Sequence, residues 1–253
     1  RISPFFFFYF NAEYDFGPSE TVKGVGVHPH KGFETVTIAY KGSVAHHDSA
    51  GNSGVIKPGD VQWMTAGAGI LHKEYHEEKF SKTGGPFEMV QLWVNLPKKD
   101  KSAKPHYQAI TAMQMGKVQL PGNQGLVNVI AGNFNSIVGP AATYSPVNLF
   151  DIKLNKDGSL TTSIPASHNT ALLVINGSIV VNGEKAPEHS FVLFNNEGEE
   201  IEIKAVENSV ILLLSGEPIQ EPIASYGPFV MNTQEEIHEA MQEFQSGKYG
   251  TLH

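Results

Sequence analysis

The chain has 253 residues, carries 18 Lys and Arg against 26 Asp and Glu for a formal net charge of −8, and is 40% hydrophobic, a globular composition long enough for one large or two compact domains. Net acidity with so few basic residues argues against direct nucleic-acid binding, which draws its affinity from clustered Lys and Arg that displace counterions. The lack of Cys excludes disulfides, thiolate nucleophiles, iron–sulfur clusters and sulfur-ligated zinc, so any metal must sit on nitrogen and oxygen.

The most apolar stretch, residues 5–10, is far shorter than the roughly 20 residues of a membrane-spanning helix. It also lacks the charged start and small-residue cleavage site of an export signal, so a cytoplasmic protein without membrane contact is the expectation. Beyond it, Gly and Pro (25 and 15 residues) punctuate short runs of β-branched and aromatic residues. The spacing predicts strands at residues 35–40, 61–64, 87–96, 172–175, 179–181, 191–194, 201–203 and 210–214. Asn182-Gly183 after the run 179–181 is a hairpin signal, because both residues tolerate the positive φ of a type I′ turn. Many short strands separated by turns read as an all-β sandwich or barrel.

TIAYKG at residues 37–42 and LLVING at 172–177 are each a strand closing on a Gly turn. This weak internal similarity predicts two β domains, residues 1–135 and 136–253, with the boundary in the turn-rich segment 132–146. One helix is expected near the end of the second domain. Thr233 and Glu236 form a capping box, Ile237, Ala240, Met241 and Phe244 recur at helical spacing, and Gly247 supplies a stop.

Seven of the eleven His precede residue 110, and six lie between His28 and His76. In an extended chain His28 and His30 project from one face, and His72 with Glu74 repeats that geometry one carboxylate for one imidazole. Together they offer three nitrogens and an oxygen to one ion. Chance alone generates such pairs at this His and Glu content, so on spacing the alternative, surface or core histidines, stays open. His46 and His47, adjacent in a strand, face opposite ways, and at most one looks toward the site. His76, His106 and His238 are expected in solvent, and His168 and His189 as surface or packing residues. Phe33, Trp63, Met64 and Trp93 are candidates for an aromatic pocket or for core, and the Lys-rich run 98–104 for a solvated loop.

In HPHKGFETVT (28–37), PGDVQWMTAG (58–67), GILHKE (69–74), QLWVNLP (91–97) and EPIASYGPFVMN (221–232) the sequence resembles the pirin family of the cupin superfamily, over nearly the whole chain. The resemblance implies a bicupin: two antiparallel jelly-roll β-barrels with a short C-terminal helix. It implies one divalent ion in the first barrel, iron as Fe(II), held by His28, His30, His72 and Glu74, with Glu74 also a catalytic base. Glu34, where many cupins keep a carboxylate ligand, is then a supporting residue, and the second barrel is metal-free. The donor set by itself also suits Mn, Ni, Co or Cu. The activity implied is quercetin 2,3-dioxygenation, in which O2 opens a flavonol and carbon monoxide leaves. The alternative is an iron-dependent protein partner that co-regulates transcription without turnover.

Overall fold

The structure, a computed structural model, describes residues 2–252. Among them the chain is built almost entirely of antiparallel strands, with two α-helices of 6 and 12 residues. It divides into two compact units: residues 5–112 with 219–252, and residues 2–4 with 113–218.

The first unit begins with β1 (Phe5–Phe16), β2 (Gly24–His30), β3 (Phe33–Lys41), β4 (Val44–Asp48), β5 (Ser53–Ile56), β6 (Val61–Thr65) and β7 (Ile70–His76). Helix α1 (Glu78–Thr83), β8 (Gly85–Asn95) and β9 (His106–Ile110) follow. Two sheets result, in the orders β1-β8-β3-β6-β9 and β2-β7-β4-β5. Their facing sides interdigitate: the His30 ring on β2 meets Phe33 on β3 and Trp93 on β8, at centroid distances of 5.0 and 5.4 Å. This is the two-sheet packing of a jelly roll.

The second unit contains β10 (Gly116–Leu120), β11 (Gly125–Ala131), β12 (Asn133–Phe134), β13 (Ile137–Val138), β14 (Val147–Leu154) and β15 (Ser159–Ser163). It continues through β16 (Asn169–Asn176), β17 (Ile179–Val181), β18 (Glu184–Ala186), β19 (Phe191–Leu193), β20 (Glu200–Ala205) and β21 (Ser209–Gly216). Its main sheets run β10-β11-β14-β21-β16-β19 and β15-β20-β17-β18, around a core that includes Val129, Leu172, Val174, Ile203 and Leu213. Asn182 and Gly183 have φ of +46° and +85° and close the β17–β18 hairpin, as the sequence predicts. The chain then returns to the first unit with β22 (Ala224–Tyr226), β23 (Phe229–Met231) and α2 (Gln234–Gln245), whose Thr233–Glu236 capping box is formed. Among the described residues no helix is long and apolar enough to cross a membrane.

Two features differ from the expected division at 135/136. Strands β10 and β11 join the second unit, because Leu120, Val127 and Val129 enter its core and β11 pairs with β14 in register Val127↔Ile152. The terminal helix belongs to the first unit: its Ile237 and Ala240 pack with Ala224, Phe229, Met231 and Tyr249 against Leu71 of β7. Periodicity identifies a strand or a helix but not the surface that will cover its apolar side.

Candidate metal centre

The site is built on the face of the smaller sheet that looks into the first barrel. His28 and His72 are directly paired across β2 and β7, and a bulge between Val25 and His28 bends the edge strand just before the first ligand candidate. His30 follows on the same face beyond Pro29. The three imidazoles converge, each offering a nitrogen within 4.8 Å of the others. His28 Nε2 stands 2.8 Å from His72 Nε2, while His28 Nδ1 lies 2.7 Å from the carbonyl oxygen of Gly26. A proton on Nδ1, donated to that carbonyl, leaves the Nε2 lone pair facing the cluster.

His30 and His72 are 3% and 0% exposed, and burial, reinforced by the neighbouring imidazoles, holds both well below the usual histidine pKa. They are therefore neutral, as a nitrogen ligand must be. Nδ1 of each is buried without a hydrogen-bond partner. Converging imidazole nitrogens, with His28 and His72 facing each other through Nε2, fit a cation of the imidazole-binding class.

Glu74, half-buried on the same face of β7, lies outside the 4.8 Å imidazole group. Its carboxylate accepts from Gln91 Nε2 on β8 at 2.7 Å and from Thr37 Oγ1 on β3 at 3.2 Å. Burial raises its pKa; these two bonds and nearby His28 oppose the rise. A cavity of about 310 Å³ opens onto Glu74 and Gln91, walled by Tyr9, Val25, Phe87 and Met89. A larger hollow of about 420 Å³ lies around His47 and Tyr75 on the outer side of the smaller sheet and holds none of the three clustered imidazoles.

The other residues singled out in the sequence sort by strand alternation. Glu34, 1% exposed, projects from β3 away from Thr37 and accepts from Thr65 Oγ1 at 2.7 Å; burial pushes its carboxyl up to about 7 against that bond. His46 is the inward member of its pair: it is 0% exposed, opposite Glu74 in register, and its ring lies 4.3 Å from that of Tyr107. His47 faces outward and stacks on Tyr75. Phe33 and Trp93 pack against His30, and Met64 is core on the inner face, but Trp63 shares the Val36 side of its sheet with Glu34.

Several expectations of exposure are corrected. His76 is 9% exposed and packed among Phe16, Phe80 and Phe87. His106 is half-buried, with Nε2 3.3 Å from Thr65 Oγ1. Lys101, inside the Lys-rich run, is 2% exposed because its ammonium is fully coordinated by protein oxygens. His238 is exposed on α2, His189 is exposed in a turn, and His168 is half-buried with Nδ1 2.9 Å from Ser215 Oγ. Sequence reasoning missed Thr37 and Gln91 as the groups that hold Glu74. The available signal was period two, which puts Thr37 on the face of Phe33 and Thr35, and Gln91 on the face of Met89 and Trp93.

Known proteins carry the same arrangement of domains. The chain matches the Pirin family over residues 1–94 and the Pirin C-terminal cupin domain over residues 149–250. A Pseudomonas aeruginosa protein named "Putative quercetin 2,3-dioxygenase" is 46% identical over 253 residues, covering 100% of this chain and 88% of its own. This chain belongs to the pirin family. Human Pirin is 38% identical over 232 residues, covering 88% of this chain and 77% of its own. Among solved structures, a quercetin 2,3-dioxygenase from Acinetobacter baumannii superposes with a TM-score of 0.95 at 47% identity, covering 100% of this chain and 88% of its own. The bicupin architecture expected from the resemblance is thereby shown for this pirin.

Proposed function

We propose that this pirin is a dioxygenase that opens flavonols such as quercetin with O2 and releases carbon monoxide, using one divalent ion, Fe(II), held by His28, His30, His72 and Glu74. The observation that supports this reading best is the convergence of three imidazoles, two of them held neutral by burial, with the Glu74 carboxylate on the same strand face as His72 and lining a cavity. When bound, the ion supplies Lewis acidity and one-electron chemistry toward O2.

The chain's own residues do the rest. Glu74 takes the proton of the flavonol 3-hydroxyl, a step that needs a base within hydrogen-bond reach of that group. Gln91 and Thr37 hold the carboxylate in the orientation the proton must meet. Phe87 and Met89 present apolar surface to a planar aromatic substrate, and Phe33 with Trp93 keeps water from the His30 side. The names of the relatives at 46% and 47% identity agree with this activity.

The test is anaerobic loading with Fe(II), followed by quercetin-dependent O2 uptake and trapping of the gas released. One carbon monoxide per O2 consumed is expected. A folded, iron-loaded protein that turns over no flavonol overturns the enzyme reading in favour of the protein-binding co-regulator.

A further inference from the structure

Both ligand-bearing strands are gripped by the segment that follows residue 219. Immediately after His30, the backbone of Lys31 exchanges hydrogen bonds with β23 and the turn before it: Lys31 N donates to Pro228 O at 3.2 Å, and Val230 N donates to Lys31 O at 3.0 Å. The Lys31 ammonium pairs with Glu243 of α2. Gly32 has φ of +85°, and a Cβ there would stand 2.1 Å from Val230 O, so only glycine permits this approach. Just before β7, a Cβ on Gly69 would meet the Tyr249 ring at 2.2 Å. Ser49 Oγ accepts from Leu71 N at 3.0 Å and donates to Tyr249 O at 2.5 Å, tying the residue before His72 to the same segment.

Lys101 joins these contacts. Its Nζ donates to Gly32 O at 2.9 Å, Asn95 Oδ1 at 2.8 Å and Val230 O at 2.8 Å. An ammonium has three donors, and here all three are spent on neutral oxygens from three separate segments, with Glu221 and Glu236 the acidic groups nearest in effect. Burial of a charge is tolerated only when it is fully bonded, so withdrawal of any one segment leaves an unpaired buried cation. The cage is therefore cooperative: it forms when the His30 loop, the end of β8 and β23 are all in place.

We infer that Lys101 is a positioning residue for the metal centre, and that ion binding and docking of residues 224–250 are thermodynamically coupled through its cage. The inference rests on the ligand set proposed above and not on the substrate. Holding Gly32 fixes the exit of the His28–His30 strand, and the Ser49–Tyr249 contact fixes the entry to His72. By reciprocity, an ion that orders the histidines must tighten the terminal segment by the same free energy.

The probe is Co(II), whose visible spectrum reports ligand geometry, titrated into the whole metal-free chain. Lys101→Met is expected to bind Co(II) roughly tenfold to a hundredfold more weakly, the range for residues that orient metal ligands, and to shift the spectrum. Glu243→Gln, at the partly exposed end of the same contact, is expected to weaken binding severalfold. In the parent, Co(II) is expected to slow amide hydrogen exchange at 229–231 at least fivefold. A folded Lys101→Met with parental affinity and spectrum overturns the inference. If Lys101→Met does not fold, parental exchange at 229–231 unchanged by Co(II) overturns it instead. A parent that binds no Co(II) refutes the ligand set itself, whereas a parent that binds normally without flavonol turnover refutes only the proposed activity.

Discussion

In the second barrel β16 lies between β21 and β19 and sends Leu172 and Val174 into a core of aliphatic side chains. In the first, β3 lies in the corresponding place between β8 and β6, but sends Thr35 and Thr37 inward toward Gln91 and Glu74. The difference continues around the first barrel, where His46 and Gln62 are fully buried with side-chain nitrogens and oxygens that have no protein partner. In the second barrel, by contrast, Asn128 donates to Asp151 Oδ2 at 2.9 Å and Ser209 Oγ donates to Ser178 O at 3.1 Å. One fold thus serves as an apolar core in one copy and as a polar chamber in the other. The chemistry lies in which residues occupy the inward positions, not in the barrel.

The largest expected effect separates the two barrels by metal content. His28→Ala, His30→Ala and His72→Ala should each weaken ion binding by more than about a hundredfold, beyond the loss for residues that merely orient ligands. His168→Ala and His189→Ala should leave it unchanged, as read by elemental analysis after dialysis. Loss of metal in the second pair alone would break the comparison. Next, Glu74→Gln keeps shape but removes basicity, and should lower flavonol turnover by roughly a hundredfold to ten-thousandfold in iron-loaded protein with partial metal loss; full turnover would remove Glu74 from the mechanism.

Stability should show the reverse asymmetry. Leu172→Ala deletes buried methyl groups and should cost about 2–5 kcal/mol, whereas Gln62→Leu, which removes buried unpaired polar atoms, should change stability by no more than about 1 kcal/mol, both measured by denaturant unfolding. The smallest effect is pH dependence. Burial, moderated by Asp48, pushes His46 from 6.5 down to about 4, so between these values the unfolded chain binds a proton that the folded chain does not. Stability should therefore fall as pH drops from 6.5 to 4, and His46→Phe should flatten this slope by about one proton in the metal-free protein. An unchanged slope would show that His46 titrates alike in both states.

Reading from sequence reached the two barrels because strand length, Gly and Pro punctuation and the Asn182-Gly183 turn are local signals. The His28-Pro29-His30 and His72-Lys73-Glu74 pairs were visible for the same reason, since period-two spacing fixes which side chains share a face. Their convergence was not, because it depends on β2 pairing with β7 in the register His28↔His72 across more than forty residues. Strand alternation limited His46 and His47 to one inward member without saying which. Lys101 was misread because its composition is that of a solvated loop, and only the arrival of Val230 from far along the chain supplies its third oxygen.

The first unit is discontinuous, with residues 219–252 added only after the whole of 113–218. On a ribosome, where chains grow by about 5–20 residues per second, roughly 5 to 20 seconds separate the last strand of the first barrel from the segment that completes it. The second barrel can close in that interval, because all of its strands have by then been made. The histidine cluster is thus completed last, and a prematurely terminated chain has its three histidines but not the segment that packs against their strands.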